Sequence, residues 1–278
     1  MLINGIESTT INAADRGLAY GDGLFSTIKV EYGMVQLWDY HLYRLQLGAQ
    51  KLFFPEVDWQ LLSAEVSQLA AGISDKPLAV IKVILTRGSG GRGYSSQGCD
   101  SVVRILSAAA YPDCYQQWQK EGIKVVQCEQ KLAVNRQLAG LKTLNRLEQV
   151  LIKHELESRQ ALEGIVCDND GYVIEACSAN LFIYLDNQWL TPKLDGSGVA
   201  GVKRRQIMQA SEKAGTPVRE VRIKADALFN AQAVCLTNAL MGIVPVKQYR
   251  SHIYNEAAFY LVQQLQLLLE DGDLLNAD

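Results

Sequence analysis

The sequence predicts an α+β protein of two domains, and three observations support this class. Strand-like segments, short and rich in β-branched residues, alternate irregularly with longer amphipathic segments that are typical of helices. The chain has 278 residues, which is enough for two domains of ordinary size. The stretch "YPDCYQQWQKEG" breaks the pattern near the middle. We therefore predict a small N-terminal domain over residues 1–111, a linker over 112–121 and a larger domain over 122–278.

The first domain is predicted to begin with a hairpin. The segment "LFSTIKVEYGMVQLW" indicates two short strands joined by a turn at Tyr32-Gly33. Asp39 is a candidate cap for the amphipathic helix "YHLYRLQLGAQKLF" that follows. A second helix and two buried strands around a glycine-rich loop complete this domain, in the segments "DWQLLSAEVSQLAAG", "LAVIKVILTRG" and "SVVRILSAAAY".

The second domain is predicted to contain another hairpin and several longer elements. The strand "IKVVQCEQ" comes first, and a helix follows Lys142. In "EGIVCDNDGYVIEA" the residues from Asn169 to Gly171 are typical of a hairpin turn. The remaining elements are the strands "NLFIYLD" and "AVCLTN" and the helices "VKRRQIMQASEKAG" and "EAAFYLVQQLQLLLE".

Composition and charge favour small-molecule chemistry. The chain is 48% hydrophobic and 21% charged, and its 27 basic and 30 acidic residues are interspersed, with a net charge of -3. No basic patch predicts binding to nucleic acid or to an anionic membrane. The six cysteines form no CxxC pair and lie apart from the three histidines, which argues against a metal site or a disulfide framework. Because "MLINGIESTT" lacks the pattern of a signal peptide, we expect a reducing, cytoplasmic location.

Lys142 has unusual neighbours for a lysine. It stands in "AGLKTLNRLEQ", among Gly140, Leu141 and Leu144, directly before a predicted helix. A surface lysine at a helix start is the simpler interpretation. The alternative is a partly desolvated amine of lowered pKa, which would serve as a nucleophile, a base or a Schiff-base former.

The glycine-rich loop matches a dinucleotide fingerprint by its letters alone. Gly88, Gly90 and Gly93 have GxGxxG spacing in "RGSGGRG", after a predicted strand. The fingerprint requires a helix to begin there, and the following residues predict another strand, so we interpret the segment as a flexible loop at the edge of a site. Arg87 and Arg92 offer forked donors that suit a carboxylate, although a solvated loop arginine is an equally good interpretation of each.

Several further residues suit an anion. Gly201 precedes a predicted helix, whose N-terminal N–H groups favour a phosphate. Thr237 and Asn238 end a strand with short donors, and Arg44 lies on the helix after Asp39. Individually, each is commonly a cap, a turn residue or a surface charge. A reactive lysine, several phosphate-sized anion sites and a carboxylate at a strand end, here Glu175, are together what a pyridoxal phosphate pocket requires.

The sequence resembles the fold-type IV pyridoxal phosphate enzymes, and within them the aminodeoxychorismate lyases. The resemblance covers essentially the whole chain. It is carried by "DRGLAYGDGLFST", "HLYRL", "TRGSGGRGYS", "LAGLKTLNRLEQVL", "EACSANLF", "GVKR" and "TNALMG". The signature from Glu175 through Asn180 to Arg204 is shared with branched-chain and D-amino acid aminotransferases, so it identifies the cofactor rather than the reaction. "RGSGGRGYS" and "AGLKTLNRLEQ" are closer to the lyases. Trp189 stands where the family usually has an aliphatic residue.

The resemblance implies a fold and a set of site residues. The fold would be a small N-terminal α/β domain and a larger C-terminal pseudo-barrel domain. Lys142 would be the Schiff-base lysine and Glu175 the partner of the pyridinium nitrogen. Thr27 matches a threonine that assists proton transfer. The phosphate-binding positions are Arg44, Val202, Lys203 and Asn238, with Val202 and Lys203 acting through backbone amides, and the positions that contact substrate carboxylates are Arg92 and Tyr94.

The same resemblance implies an activity and partners. The expected reaction converts 4-amino-4-deoxychorismate to 4-aminobenzoate and pyruvate, in folate biosynthesis. A homodimer is expected, and a synthase would supply the substrate. Two alternatives stay open at this point: a D-amino acid or branched-chain aminotransferase, which would share the cofactor residues, and a non-catalytic binding protein on the same scaffold. Intact Lys142 and Glu175 argue against the second.

Overall fold

The computed structural model describes residues 1–274, with side chains described up to residue 269. The chain divides into two compact units. The first contains Met1–Pro112 and Leu141–Arg146, and the second contains Asp113–Gly140 and the residues from Leu147 onward. Both units combine helices with a sheet, which confirms the predicted α+β class. Within residues 1–274, no helix has the length and apolar character that a membrane span requires.

The first unit is a six-stranded sheet with helices. Its strands are β1 (Leu2–Ile3), β2 (Ile6–Glu7), β3 (Gly23–Glu31), β4 (Met34–Val35), β5 (Leu78–Thr86) and β6 (Val103–Ala110), and its helices are α1 (Arg16–Tyr20), α2 (Trp38–Lys51) and α3 (Trp59–Ala71). The spatial order is β2-β1-β6-β5-β3-β4, and every pairing is antiparallel.

Strand β3 positions several residues of the candidate site. Its side chains alternate between two faces of the sheet, as the pleat requires. Leu24, Ile28 and Val30 are buried in the core of the unit, and Leu24 packs against Gly48 of α2. Phe25 and Thr27 lie on the opposite, half-buried face.

The second unit contains the larger sheet. Its helices are α4 (Cys114–Glu121), α5 (Leu147–Ser158), α6 (Val202–Lys213), α7 (Ala227–Asn230) and α8 (Glu256–Leu274). Its strands are β7 (Ile123–Gln127), β8 (Glu163–Cys167), β9 (Tyr172–Ala176), β10 (Asn180–Leu185), β11 (Gln188–Pro192), β12 (Arg219–Val221), β13 (Ile223–Lys224), β14 (Ala233–Asn238), β15 (Gly242–Tyr249) and β16 (His252–Ile253). The strands run in the order β12-β11-β10-β14-β15-β7-β8-β9-β13, with β16 paired to β15. The core lies against this sheet and includes Phe182, Leu236, Val244 and Tyr249.

Most predicted elements are present. Tyr32 and Gly33 form the turn between β3 and β4 with positive φ at both residues, and the hairpin between β8 and β9 turns at Asn169–Gly171. The glycine-rich loop leads into strand β6 rather than into a helix. The predicted cap at Asp39 is wrong. Helix α2 begins at Trp38, after Leu37 in a left-handed conformation, and no side chain caps it.

The boundary region differs from the expected linker in two respects. Where residues 112–121 were predicted to connect the domains, the structure contains helix α4. The segment Leu141–Arg146 groups with the first unit, because its backbone bonds to β3. Helix α5 therefore starts at Leu147, later than the sequence pattern indicates. The domain limits themselves stay a prediction.

Candidate active site

The segment that carries Lys142 is fixed along the edge of β3. The Phe25 N–H donates to the Lys142 carbonyl at 3.0 Å, and the Leu144 N–H donates to the Gly23 carbonyl at 3.0 Å. Leu24 and Thr143 form an antiparallel bridge between these two bonds. Residues 142–144 therefore act as a short extension of the sheet, which gives Lys142 a defined backbone position.

The Lys142 amine lies over an aromatic ring. Its Nζ is 4.4 Å from the centroid of Phe25, within the range of a cation–π contact, and the residue is half-buried. Thr27 lies two residues further along β3 and on the same face as Phe25. Thr27 is paired in register with Lys82, whose Nζ is 5.4 Å from the same ring centroid. The structure thus brings the predicted lysine and the predicted threonine to one face of β3.

Arg146 holds the lysine segment from its other side. Its guanidinium donates to the carbonyl of Leu141 at 2.5 Å and to the carbonyl of Thr143 at 3.0 Å. The two carbonyls flank Lys142, so one rigid fork fixes the turn on both sides of it. Arg146 was not among the residues predicted from the sequence. An arginine four residues after the lysine in "LKTLNRL" is the signal that could have indicated it.

Arg44 lies near a second positive charge, the guanidinium of Arg146. Its Nη2 donates to the Ser26 hydroxyl at 2.8 Å, and Ser26 also bonds to Nδ1 of the buried His41 at 2.7 Å. Protein atoms surround the guanidinium, and this burial, followed by repulsion from Arg146, lowers the pKa of Arg44 to about 10. Both causes penalise the positive charge, so a bound dianion such as a phosphate would be favoured here.

In the second unit, Glu175 lies on strand β9 and is only 5% exposed. Its Oε2 accepts a hydrogen bond from the backbone N–H of Val199 at 2.8 Å. A buried carboxylate requires polar partners, and this backbone donor both satisfies one oxygen and fixes the direction of the group. The structure therefore places the predicted pyridinium partner as a fixed, buried acid.

Asn180 connects this carboxylate to the start of helix α6. Its side-chain amide donates to the Val199 carbonyl at 2.8 Å, and its Oδ1 accepts from the Gly201 N–H at 3.0 Å. A Cβ at Gly201 would lie 2.1 Å from that Oδ1, so only glycine fits. Gly201 is the N-cap, and Val202 and Lys203 open the helix. Helix geometry leaves the first N–H groups without an acceptor inside the helix, which suits an anion.

The turn after β14 uses the side chains that were predicted to donate to a phosphate. The Asn238 amide donates to the Ser178 carbonyl at 3.1 Å, and its Oδ1 accepts the backbone N–H groups of Leu240 and Met241. The Thr237 hydroxyl donates to the Gly242 carbonyl at 2.7 Å. Both side chains therefore shape the turn.

The glycine-rich loop contains Arg92 and Tyr94, the residues predicted to contact substrate carboxylates. Arg92 is exposed, and Tyr94 is 91% exposed, with its ring 5.6 Å from that of Tyr20. Arg87 is different, because it is buried and bonds to the Asp22 carboxylate at 2.7 Å and to the carbonyls of Leu52 and Phe53 at the end of α2. The structure therefore gives Arg87 a role in holding α2 rather than in contacting substrate.

Asp22 is the shared counter-charge of two buried arginines in the first unit. It accepts bonds from Arg16 at 2.9 Å and Arg87 at 2.7 Å. Burial alone would raise its pKa, and the hydrogen bonds and charges of Arg87 and Arg16 outweigh that effect and lower the pKa below its ordinary value. Because a lowered pKa stabilises the fold above the unfolded value, this contribution is present at neutral pH and is lost as the pH falls through the folded pKa.

We expect Asp22→Asn to lower the free energy of unfolding by about 3 kcal/mol at pH 7, since two buried guanidinium groups lose their counter-charge. Urea titrations of both proteins measure this difference, which should shrink below about pH 4. Asp195→Asn is the matched control, because Asp195 also faces two cations, Lys193 and Arg222, but at an exposed position. Equal losses in the two variants would contradict the assigned role of Asp22.

These residues fit a pyridoxal phosphate group. The first unit contains an amine on a fixed backbone, that of Lys142, and the guanidinium of Arg44, which donates to Ser26. The second unit supplies a buried carboxylate and a helix start where a Cβ would collide with Asn180. An aldehyde, a protonated pyridine nitrogen and a phosphate are the complementary groups of such a donor set.

Comparisons with known proteins agree with this assignment. A sequence profile of the family described as "Amino-transferase class IV" matches residues 23–249. An aminodeoxychorismate lyase of Vibrio harveyi is 35% identical over 249 residues, which cover 88% of this chain and 89% of that protein. The crystal structure of 4-amino-4-deoxychorismate lyase from Pseudomonas aeruginosa is 36% identical, with a TM-score of 0.90 over 97% of this chain and 98% of that one. A D-alanine aminotransferase of Bacillus licheniformis is 25% identical over 240 residues, covering 85% and 82%.

The fold and the chemistry of its residues define a pyridoxal phosphate enzyme of fold type IV. The profile match extends over most of the sequence, and the chain therefore belongs to the class IV aminotransferase family. The predicted fold class, the predicted cofactor and a small-molecule substrate are confirmed by this membership. The roles of individual site residues stay predictions.

Proposed function

We propose that this protein is an aminodeoxychorismate lyase, which converts 4-amino-4-deoxychorismate to 4-aminobenzoate and pyruvate in folate biosynthesis. The similarity to two lyases carries the proposal: they are 35% and 36% identical over nearly the whole chain, whereas the D-alanine aminotransferase is 25% identical. The cofactor residues alone do not separate these activities, because both kinds of enzyme use the same group.

Each group of pyridoxal phosphate has candidate binding residues in this chain. Lys142 would bond to its aldehyde, and Glu175 would pair with its ring nitrogen. Arg44 and the N–H groups of Val202 and Lys203 would receive the phosphate, and the turn at Asn238 would add backbone contacts. When bound, the group supplies an aldehyde that combines with the substrate amine and a protonated ring that accepts electrons from the adjacent carbon.

Residues of the chain would then carry out the proton transfers. The Lys142 amine, once free, removes the proton at C4 of the substrate, and the backbone bonds on either side of the residue restrict where this base can lie. The bond between the neighbouring carbon and the enolpyruvyl oxygen breaks. The proton that Lys142 took from C4 passes through Thr27 Oγ1 to the departing group, which leaves as pyruvate. Glu175 would pair with the ring nitrogen, and Arg92 with Tyr94 orients the substrate carboxylates. The loss of the enolpyruvyl group makes the product ring aromatic, which favours completion.

Product analysis tests the proposal. Purified protein with pyridoxal phosphate and 4-amino-4-deoxychorismate should form 4-aminobenzoate and pyruvate in equal amounts, with no amino acceptor present. A sample without protein measures spontaneous breakdown of the substrate. Absence of both products from a protein that binds pyridoxal phosphate would refute the lyase assignment.

An aminotransferase is the second candidate, and the D-alanine aminotransferase relative favours it to a lesser degree. It requires a second half-reaction with a keto acid. Consumption of D-alanine together with 2-oxoglutarate, in the absence of lyase products, would support it. A non-catalytic binding protein is a poorer proposal, because such a protein would need neither Lys142 nor Glu175.

We also propose a cytoplasmic homodimer that receives its substrate from a synthase. Family resemblance supports the dimer, and cysteines without disulfide partners agree with a reducing compartment. Light scattering in solution would contradict the dimer if it gave the mass of a single chain.

A further inference from the structure

The glycine-rich loop is intrinsically flexible. Its five glycines with positive φ are Gly88, Gly90, Gly91, Gly93 and Gly98. Glycine loses more conformational freedom on ordering than any other residue, so this segment needs strong contacts to keep one shape. Recognition of a substrate by Arg92 and Tyr94 requires that shape, because a misplaced donor loses most of its effect.

A single buried guanidinium supplies those contacts. Nη1 of Arg16 donates to the carbonyls of Gly93 and Ser95, both at 3.0 Å, and Nη2 donates to the carbonyl of Tyr94 at 3.3 Å. Three consecutive peptide carbonyls therefore converge on one positive charge, directly after Arg92. Hydrogen bonds from a charged donor are stronger than neutral ones.

Arg16 is itself held rigidly. Only 5% of it is exposed, and its Nε donates to Asp22 at 2.9 Å. Its own backbone N–H bonds to the carbonyl of Gly88 at 2.9 Å, which fixes the start of the same loop. The guanidinium carbon also lies 4.9 Å from the ring centroid of Tyr20, the residue that contacts Tyr94. The loop is thus attached at its start and at its tip to the same residue.

Gly91 allows the loop to close around this arginine. A Cβ at Gly91 would lie 2.0 Å from the Ser95 carbonyl oxygen and 3.3 Å from Nη1 of Arg16, and its φ of 68° disfavours any other residue. The glycine therefore makes room for the contacts that Arg16 forms.

We propose that Arg16 is a positioning residue for substrate recognition: it holds residues 93–95 so that Arg92 and Tyr94 face the substrate carboxylates. The inference rests on the proposed function for the identity of that substrate. The attachment itself rests on the contacts of Arg16 alone, and the two parts can be tested separately.

Limited proteolysis tests the attachment without any activity assay. Trypsin should cut after Arg92 about tenfold faster in Arg16→Gln than in the wild-type holoenzyme, because cleavage follows the population of the open loop. Arg104→Gln is the matched control: Arg104 forms a bidentate ion pair with Glu65 in the same unit but does not bond to the loop. Unchanged cutting after Arg92, or equal acceleration in the control, would overturn the attachment.

Kinetics test the positioning role. In Arg16→Gln the KM for 4-amino-4-deoxychorismate should rise about tenfold while kcat changes little, since the reacting groups are untouched. Gly91→Ala should have the same effect from the loop side, which covers the case that Arg16→Gln folds poorly. Arg16→Lys should recover only part of the loss, because a point charge cannot reach three carbonyls and Asp22 together.

A double variant separates positioning from general damage. If Arg16 acts through the loop, Arg16→Gln should add little to the KM increase of Arg92→Gln. Additive effects, or a fall in kcat with an unchanged KM, would overturn the proposal. If the wild-type protein forms no 4-aminobenzoate, the proposed function fails on its own, and the same comparisons made with D-alanine and 2-oxoglutarate decide the role of Arg16.

Discussion

The Lys142→Ala protein should form 4-aminobenzoate at least about 10⁴-fold more slowly than the wild-type protein. Two roles are lost together in this variant. The amine that bonds to the cofactor disappears, and so does the base that removes the C4 proton. The backbone contacts of residue 142 with Phe25 do not involve the side chain, so the fold should be retained.

Lys82→Ala is the matched control for this variant. Both lysines place Nζ over the ring of Phe25, at 4.4 Å for Lys142 and 5.4 Å for Lys82, and Lys82 is exposed. Loss of a lysine beside this ring should be harmless at position 82, because no proposed step uses that amine. The measurement is the initial rate of product formation with saturating cofactor. An active Lys142→Ala protein, or an equally inactive Lys82→Ala protein, would contradict the assignment.

Addition of a small primary amine provides a second check on Lys142. Such an amine can enter the space of the missing side chain and accept the C4 proton, so partial recovery of the rate is expected. Recovery should increase with the amine's basicity, as general base catalysis requires. No recovery in a protein that still binds the cofactor would show that position, rather than basicity, is the larger contribution of the lysine.

Local sequence signals were sufficient to identify the individual elements and the chemically distinctive residues. Tyr32-Gly33 and Asn169–Gly171 turn as predicted, because each contains a glycine, Gly33 or Gly171, that adopts positive φ without strain. Lys142 stood out because a lysine among apolar neighbours needs a physical reason. The glycine-rich loop was correctly separated from a dinucleotide fingerprint, since the pattern after it indicates a strand.

Contacts between distant residues were not predictable in the same way. Arg16 bonds to carbonyls 77 to 79 residues away, and Arg87 reaches the end of α2, 34 and 35 residues earlier in the chain. Every residue has a backbone carbonyl, so residue types do not indicate which carbonyls accept hydrogen bonds from a given arginine. The same reason explains why Arg87 was considered for a carboxylate.

The start of α2 illustrates a different limit. Asp39 is a good capping residue, yet the N-cap lies two residues earlier, at Leu37, which has a left-handed conformation. The tight connection from β4 to α2 imposes this conformation, and tertiary geometry outweighs local preference. Similarly, Leu141–Arg146 joins the first unit because its backbone pairs with β3, which no local pattern indicates.

Glu175→Gln should reduce kcat by about 10³-fold while the protein still binds the cofactor. The amide oxygen can accept the Val199 N–H that now bonds to Oε2 at 2.8 Å, so the local fold is retained. The negative charge is lost, however, and a neutral amide cannot keep a pyridine nitrogen protonated. The ring would then accept electrons poorly, which slows removal of the C4 proton by Lys142.

Glu163→Gln is the control that distinguishes this effect from loss of any buried acid. Glu163 lies on the neighbouring strand β8 with 4% exposure, and its burial raises its pKa. Its Oε1 accepts the Ser178 hydroxyl, and its Oε2 has no hydrogen-bond partner among the described residues. No proposed step uses this carboxyl, so kcat should remain near the wild-type value. Because the two variants make the same chemical change on adjacent strands, only the charge of Glu175 can account for a difference in kcat.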